Sequence, residues 1–275
     1  MNGDILAFQE MLQSQLSSTR STSFGIRDLY EIMIEAIGRD EIQFIKALFC
    51  HSLPMNQLHA LHATEAKAKN ALQIFLDNGW DINQPMGELN QFSGESQNLS
   101  ASEFLKRHSS LDFTSFNYAI GDEDMTAWLL HRGADPNRRC SIDLTPLSHA
   151  AEPAAISTIR LMLSCGGDVK KGQLLHHAID RQPDVIEVLQ LLIEGGATIN
   201  ATMYQDDYSS WRLFYFMPLG TALHKAAELG KVGVVRYLIT KGADMRITDA
   251  NGCTAKECAD KLGKREVILP FEKEQ

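Results

Sequence analysis

The sequence is poor in positive charge. Its 26 lysines and arginines face 35 aspartates and glutamates, which gives a formal net charge of −9. A general nucleic-acid binder carries a basic stripe, so we expect no nucleic-acid partner. The acidity serves solubility first and mildly favours a basic or neutral partner.

Long hydrophobic runs are missing as well. No stretch approaches the roughly 18 apolar residues that a membrane span needs, so we expect no membrane partner. Residues 1–20 lack the basic start and apolar block of a secretion signal. The five scattered cysteines therefore predict reduced thiols in the cytoplasm, with the nucleus as an alternative; they are Cys50, Cys140, Cys165, Cys253 and Cys258.

Motifs for cofactors and common catalytic centres are also lacking. The sequence has no phosphate loop, no dinucleotide glycine fingerprint, no Gly-x-Ser-x-Gly and no His-Glu-x-x-His, and we expect no cofactor. His59 and His62, with Glu65, could share a helix face. A metal would need a firmer set of ligands, so we expect no metal site.

A helix–turn–helix unit recurs along the chain. Its clearest copy opens with Thr-Ala-Leu-His at residues 221–224 and closes with Gly-Ala-Asp at 242–244. Another copy opens with Thr-Pro-Leu-Ser at 145–148. Threonine suits a helix cap and proline the first turn. The glycines that close the second helices suit a left-handed cap; they are Gly79, Gly133, Gly166, Gly196 and Gly242.

This unit resembles the ankyrin repeat, whose signature opens Thr-Pro-Leu-His-x-Ala. The resemblance implies an all-α fold, an ankyrin-repeat solenoid of stacked helix pairs with short hairpin loops. We expect a single curved stack of about six pairs. The stretch from Tyr208 through Trp-Arg-Leu-Phe to Leu-Gly-Thr-Ala-Leu-His looks like ankyrin proteins of filamentous fungi.

The expected organisation is an N-terminal helix and linker at 1–23, followed by repeats at 24–275 that end in a truncated cap. The helix would shield the first repeat or, alternatively, bind a partner. Two insertions interrupt the repeats. The first, near 84–112, is polar, and its residues 87–100 are predicted to be mobile. The second, near 201–217, is aromatic and is predicted to be packed, since disordered loops are poor in aromatics.

The resemblance implies a protein–protein interaction module, an adaptor or inhibitor that uses the concave face and hairpin tips. The predicted binding residues are Tyr204, Tyr208, Trp211, Arg212, Phe214, Tyr215, Arg138 and Arg139. His176 and His224 align with a family histidine that links neighbouring repeats.

The alternative is an enzyme, an acid-catalysed cyclase or isomerase of a small apolar molecule. Its pocket would lie between the aromatic insertion and the concave helices, with Asp206, Asp207, His149 and His177 as catalytic candidates. A carboxylate among aromatic rings can have a raised pKa and act as an acid. The simpler interpretation is that both aspartates cap a turn.

Overall fold

The computed structural model describes Leu6, Ala7, Glu10, Met55 and residues 26–50, 57–85, 114–140 and 142–273. These residues form fifteen helices. In chain order they are α1 (Ile26–Gly38), α2 (Ile42–Cys50), α3 (Gln57–Glu65), α4 (Lys69–Asp77), α5 (Ser115–Ala119), α6 (Glu123–Leu130), α7 (Pro146–Ala150), α8 (Ile156–Ser164), α9 (Leu174–Asp180), α10 (Val185–Glu194), α11 (Tyr208–Phe214), α12 (Ala222–Glu228), α13 (Val232–Thr240), α14 (Ala255–Lys261) and α15 (Arg265–Lys273).

Threonines begin three of the first helices, as their sequence positions predict. Thr145, Thr221 and Thr254 each exchange hydrogen bonds with the residue three positions later in a capping box. This arrangement satisfies amides that a helix N-terminus otherwise leaves without partners. The repeated threonine therefore fixes where each helix starts.

Glycines end the second helices. The five closing glycines have φ angles between +89° and +96°, in the left-handed region that glycine enters without a Cβ clash. A following amide then returns to the last helical turn; the amide of Gly167, for example, donates to the Met162 carbonyl over 3.0 Å. The predicted role of these glycines is confirmed.

The helices fall into two compact units. The first holds α1 to α5 and the second holds α6 to α15. In the second unit, first helices pack against first helices and second helices against second helices, because α9 touches both α7 and α12, and α13 touches both α10 and α15. Small buried alanines such as Ala150, Ala178 and Ala226 allow the first helices to approach closely.

The predicted all-α class is confirmed. Within the described ranges, β-pairing is limited to two isolated antiparallel bridges, Thr202 with Thr221 and Thr248 with Thr254. Most of the N-terminal segment 1–23 and nearly all of the first insertion lie outside the described residues. The expectations for them, including the mobility of 87–100 and the division at residue 23, stay predictions.

Candidate functional site

The aromatic insertion, residues 201–217, begins and ends at a closed base. Thr202 pairs with Thr221, and the amide of Met203 donates to the carbonyl of Gly220 over 3.1 Å. The same Gly220 carbonyl lies 3.0 Å from Nε2 of His176, on the preceding first helix α9. The base is thus held by the bridge between its two ends and by the neighbouring repeat.

Asp207 starts the insertion helix α11. Its carboxylate accepts from the Ser210 amide over 2.7 Å and pairs with the Arg139 guanidinium. Burial acts to raise the pKa of Asp207, but the hydrogen bonds from Ser210 and Arg139 outweigh it and lower the pKa. A catalytic acid requires a raised pKa, whereas the pKa of Asp207 is lowered. Asp207 caps helix α11 instead.

The inner face of the insertion is its buried side, Tyr204 and Phe214. Their rings stack with centroids 5.1 Å apart, and both side chains are over nine-tenths buried. They form a small core with Leu219, against which Ile142 packs from the hairpin before α7. The predicted packing of the insertion is thus confirmed for these two rings, which pack on a hairpin. Because they are buried, Tyr204 and Phe214 support the surface from beneath.

Asp143 ties three successive hairpins together. Its amide donates to Oγ of Ser210 in the insertion over 2.8 Å. Its carboxylate accepts from Nε2 of Gln173, in the intervening hairpin, over 2.6 Å, and lies 3.4 Å from Nε of Arg139. The insertion therefore reaches across the α8–α9 hairpin to the one before it.

The outer face of the insertion is its exposed side. Its large apolar residues are Tyr208, Trp211, Leu213, Tyr215 and Phe216, with exposed fractions of 71, 45, 41, 66 and 65%. Tyr208 and Trp211 stack with ring centroids 6.0 Å apart. Arg212 is exposed beside them and lines, with Tyr208, Ser209 and Leu213, a hollow of about 360 Å³. Helix α11 thus presents an exposed, stacked aromatic pair beside one cation, and Tyr215 and Phe216 are exposed just after the helix ends.

The two predicted tip arginines differ in their surroundings. Arg139 is committed to Asp207 and Asp143, so its charge holds the insertion in place. Arg138 is exposed at the turn that follows Pro136 and Asn137.

The histidines of the first helices are held neutral by burial. Burial lowers the pKa of His177 to about 3, helped by nearby Lys225, and lowers the pKa of His149. His224 directs Nε2 to the Cys253 carbonyl at 3.0 Å, as His176 does to that of Gly220. The predicted inter-repeat role of His176 and His224 is confirmed.

A cleft beneath the insertion bears on the enzyme hypothesis. It measures about 60 Å³ and is lined by residues that include Asp206, Gln173 and Lys170. Pockets for small organic ligands are usually about 300–1,000 Å³. His149, His177 and Asp207 do not line this cleft. The structure therefore does not bring the four proposed catalytic residues together there.

Asparagine staples, side chains that hydrogen-bond from one hairpin to another, are structural links that sequence reasoning missed. Oδ1 of Asn137 accepts from the Asp168 amide over 2.7 Å, and Oδ1 of Asn200 accepts from the Asp244 amide over 2.8 Å. Each asparagine stands four residues after a closing glycine, Gly133 or Gly196. That recurring spacing was the available signal.

The described residues contain neither a cluster of metal ligands nor a membrane-spanning helix. No group of three or more histidine, cysteine, aspartate or glutamate side chains there could hold a metal ion. The pair His62 and Glu65 does approach to 3.8 Å. Across the same part of the chain, no helix is long and apolar enough to cross a membrane.

Known proteins resemble parts of the chain. The ankyrin-repeat family model matches residues 220–250. The human ankyrin repeat and SOCS box protein 6 is 31% identical over 149 residues, which cover 48% of this chain and 35% of that protein. The probable E3 ubiquitin-protein ligase XBOS34 of rice is 33% identical over 106 residues, covering 38% and 18%. The palmitoyltransferase Hip14 of Drosophila melanogaster is 32% identical over 111 residues, covering 38% and 15%.

The chain spans about a third of the length of the first of these relatives and less of the others. The matched repeat coincides with the capped helix α12, its partner α13 and the glycine that closes it. Together with the recurring helix pairs, these matches support the ankyrin-repeat family for this chain.

Proposed function

We propose that the chain is a protein-binding module whose principal recognition surface is the outer face of the aromatic insertion. The observation that carries this proposal is the contrast between its two sides. Tyr204 and Phe214 are buried and fix the loop, whereas Tyr208 and Trp211 on the same segment are exposed. Contiguous exposed aromatic surface on an ordered element marks interaction sites.

Order in the free state supports tight binding. The Asp207 cap, its pair with Arg139 and the inner-face stacking hold the helix before any partner arrives. A preorganised surface loses less conformational entropy on association than a mobile loop. Tyr, Trp and Arg dominate binding hot spots, and Tyr208, Trp211 and Arg212 stand together here.

A recognition role also accords with the relatives. One is named a probable ubiquitin ligase and another a palmitoyltransferase. The match with this chain covers only 18% and 15% of their lengths. We therefore propose that this chain contributes recognition, as an adaptor or as an inhibitor that occludes its partner. Arg138, exposed in the hairpin before α7, extends the proposed surface.

No observation on the described residues favours the enzyme alternative. Asp207 caps a helix, and the cleft beside Asp206 is too small for a typical substrate. The cytoplasmic or nuclear location and the fungal-type origin remain proposals. The location is supported by five cysteines without disulfides, the origin by the sequence resemblance.

A loop exchange tests the proposed surface. Residues 203–220, between the bridged threonines of the insertion, would be replaced by residues 249–253, which join Thr248 to Thr254 in the next hairpin. The chimera should keep its repeat helices, since Thr202 and Thr221 are retained and the carbonyl of Cys253, which in its own hairpin accepts from a histidine, takes the place of that of Gly220. It should lose binding to proteins captured by the native chain. Leu262→Ala, at a side chain 58% exposed elsewhere, is the control and should retain them. A folded chimera that captures the same proteins equally well would refute the proposed surface.

A further inference from the structure

A second concave feature lies where first helices turn into second helices. We call it the turn cleft; it measures about 260 Å³. Its lining consists of two consecutive turns and helix starts, Arg181, Gln182, Pro183, Val185 and Ile186 from one repeat and Lys231, Val232, Gly233 and Val234 from the next. It shares no residue with the aromatic insertion.

A buried guanidinium forms one wall of the turn cleft. Arg181 is 7% exposed, and its Nη1 donates to the carbonyls of Ala151 and Glu152 at 3.4 and 2.8 Å. Its Nε is buried without a hydrogen-bond partner among the described residues. A buried charged donor left unsatisfied is costly, and this guanidinium keeps one unused donor next to the cleft wall.

A second cation stands beside it. Nζ of Lys231 donates to the Ile179 carbonyl and, at 3.2 Å, to that of Arg181. These bonds hold the ammonium at the cleft, and both of its acceptors are neutral carbonyls. Two positively charged residues, Arg181 and Lys231, therefore line the same cleft.

Two helix N-termini add to this charge. Helix α10 follows Asp184 and α13 follows Lys231, and neither helix receives a side-chain cap. The first residues of each helix line the cleft, Val185 and Ile186 of α10 and Val232, Gly233 and Val234 of α13. The Val232 amide donates to the Gly230 carbonyl over 3.0 Å. Uncapped amides at the positive end of a helix dipole bind anions.

The remaining lining is apolar. Pro183, Ile186, Val232 and Val234 supply hydrocarbon around the positive groups. The volume equals that of roughly eight or nine water-sized groups at about 30 Å³ each. A phosphate or sulfate would leave this hydrocarbon uncovered. A carboxylate on a short branched chain would contact both the positive groups and the hydrocarbon.

We propose that the turn cleft is a binding site for a carboxylate attached to a small branched apolar group. Two sources share this chemistry, a free branched-chain carboxylic acid and the C-terminal carboxylate of a protein that ends in a branched residue. The carboxylate would face Arg181, Lys231 and the amides of Gly233 and Val234. The exposed Asp184 at the rim sets an upper limit on affinity by like-charge repulsion.

Two pairs of probes, each differing only in charge, test the site on the full chain. Sodium isovalerate is compared with isovaleramide, and N-acetyl-valyl-leucine with its C-terminal amide, by amide NMR shifts at constant ionic strength. Each carboxylate should shift the Gly233 and Val234 amides with millimolar affinity, and each amide should bind at least about tenfold more weakly. Tighter binding of the dipeptide than of isovalerate identifies a protein C-terminus as the source; the reverse identifies a small acid.

A matched pair of variants tests the location without disturbing Arg181. A Cβ added at Gly233 meets nothing within 4 Å, so Gly233→Asp and Gly233→Asn should both fold. The aspartate places a competing carboxylate at the start of α13 and should weaken isovalerate binding at least about tenfold, since like charges a few ångströms apart repel strongly. The asparagine should leave binding within about twofold. Equal shifts by acid and amide, equal loss in both variants, or no shift at these amides would overturn the proposal.

Discussion

Two hairpins of the second unit share a base and differ in what lies between its ends. In the aromatic insertion, Thr202 is bridged to Thr221; in the later hairpin, Thr248 is bridged to Thr254. In both, the second threonine caps the next first helix. A histidine of the preceding repeat, His176 or His224, reaches the carbonyl just before that threonine.

The shared base explains why an insertion is tolerated at this place. Because the base is closed by its own bridge and by the histidine, the chain between the threonines is free to lengthen without moving the first helices. The short hairpin holds its tip through Asp249, whose carboxylate accepts from the amides of Asn251 and Cys253. The insertion instead builds a small core and rests on the hairpin that carries Ile142.

The largest effect should come from removing the inner face of the insertion. Phe214→Ala should lower the free energy of unfolding by about 3–5 kcal/mol, the usual cost of deleting a buried phenylalanine. The matched control is Phe216→Ala, since Phe216 is 65% exposed and should change stability by less than about 0.5 kcal/mol. Urea unfolding of both variants measures this difference. Similar losses would show that the two faces are not distinct.

The next largest effect should be the pH dependence of stability caused by the histidines at the two hairpin bases, His176 and His224. Burial lowers the pKa of His176 to about 4 and also lowers the pKa of His224. The unfolded chain therefore binds these protons more readily, so the free energy of unfolding falls as the pH drops below about 6.5. For His176 the fall is about 1.4 kcal/mol per pH unit and levels off near pH 4.

His176→Gln should flatten this dependence, because glutamine stays neutral and can still donate to Gly220. Unfolding free energies at pH 7, 6, 5 and 4.5 would measure it. His224→Gln should flatten the dependence less, because of these two histidines His176 has the larger lowering of its pKa. An unchanged slope in the His176 variant would contradict the assignment of a buried neutral imidazole at the insertion base.

A smaller effect is expected from the staple between the two hairpins. Asn200 accepts from the Asp244 amide and donates to the Gly242 carbonyl. Asn200→Ala should cost about 1–2 kcal/mol, because it leaves a partly buried amide without its acceptor. Gln190→Ala removes an exposed amide that bonds only within α10 and should cost no more than about 0.5 kcal/mol. Equal costs in a thermal melt would mean that the staple adds nothing.

The repeat helices and their ends could be predicted from the sequence because local chemistry determines them. Capping threonines and closing glycines act within a few residues. Thr221 correctly marks the start of α12, and Gly242 correctly marks the end of α13. The division of the insertion into an inner and an outer face could not. It depends on Ile142 and Arg139, which lie about 70 residues earlier and meet Phe214 and Asp207 only once three hairpins stack. Composition indicated a packed aromatic loop and could not say which rings remain exposed.

The outer face provides the most direct test of the central claim, that this insertion is a binding surface on an independent scaffold. For a partner captured by the native chain, Trp211→Ala and Tyr208→Ala should weaken the measured affinity by about 1–4 kcal/mol. Because both side chains are exposed, the unfolding midpoint should stay within about 1–2 °C of the native value. Leu262→Ala should change neither quantity. A drop of several degrees in the midpoint with unchanged affinity would contradict the account, because it would show that these rings serve stability alone.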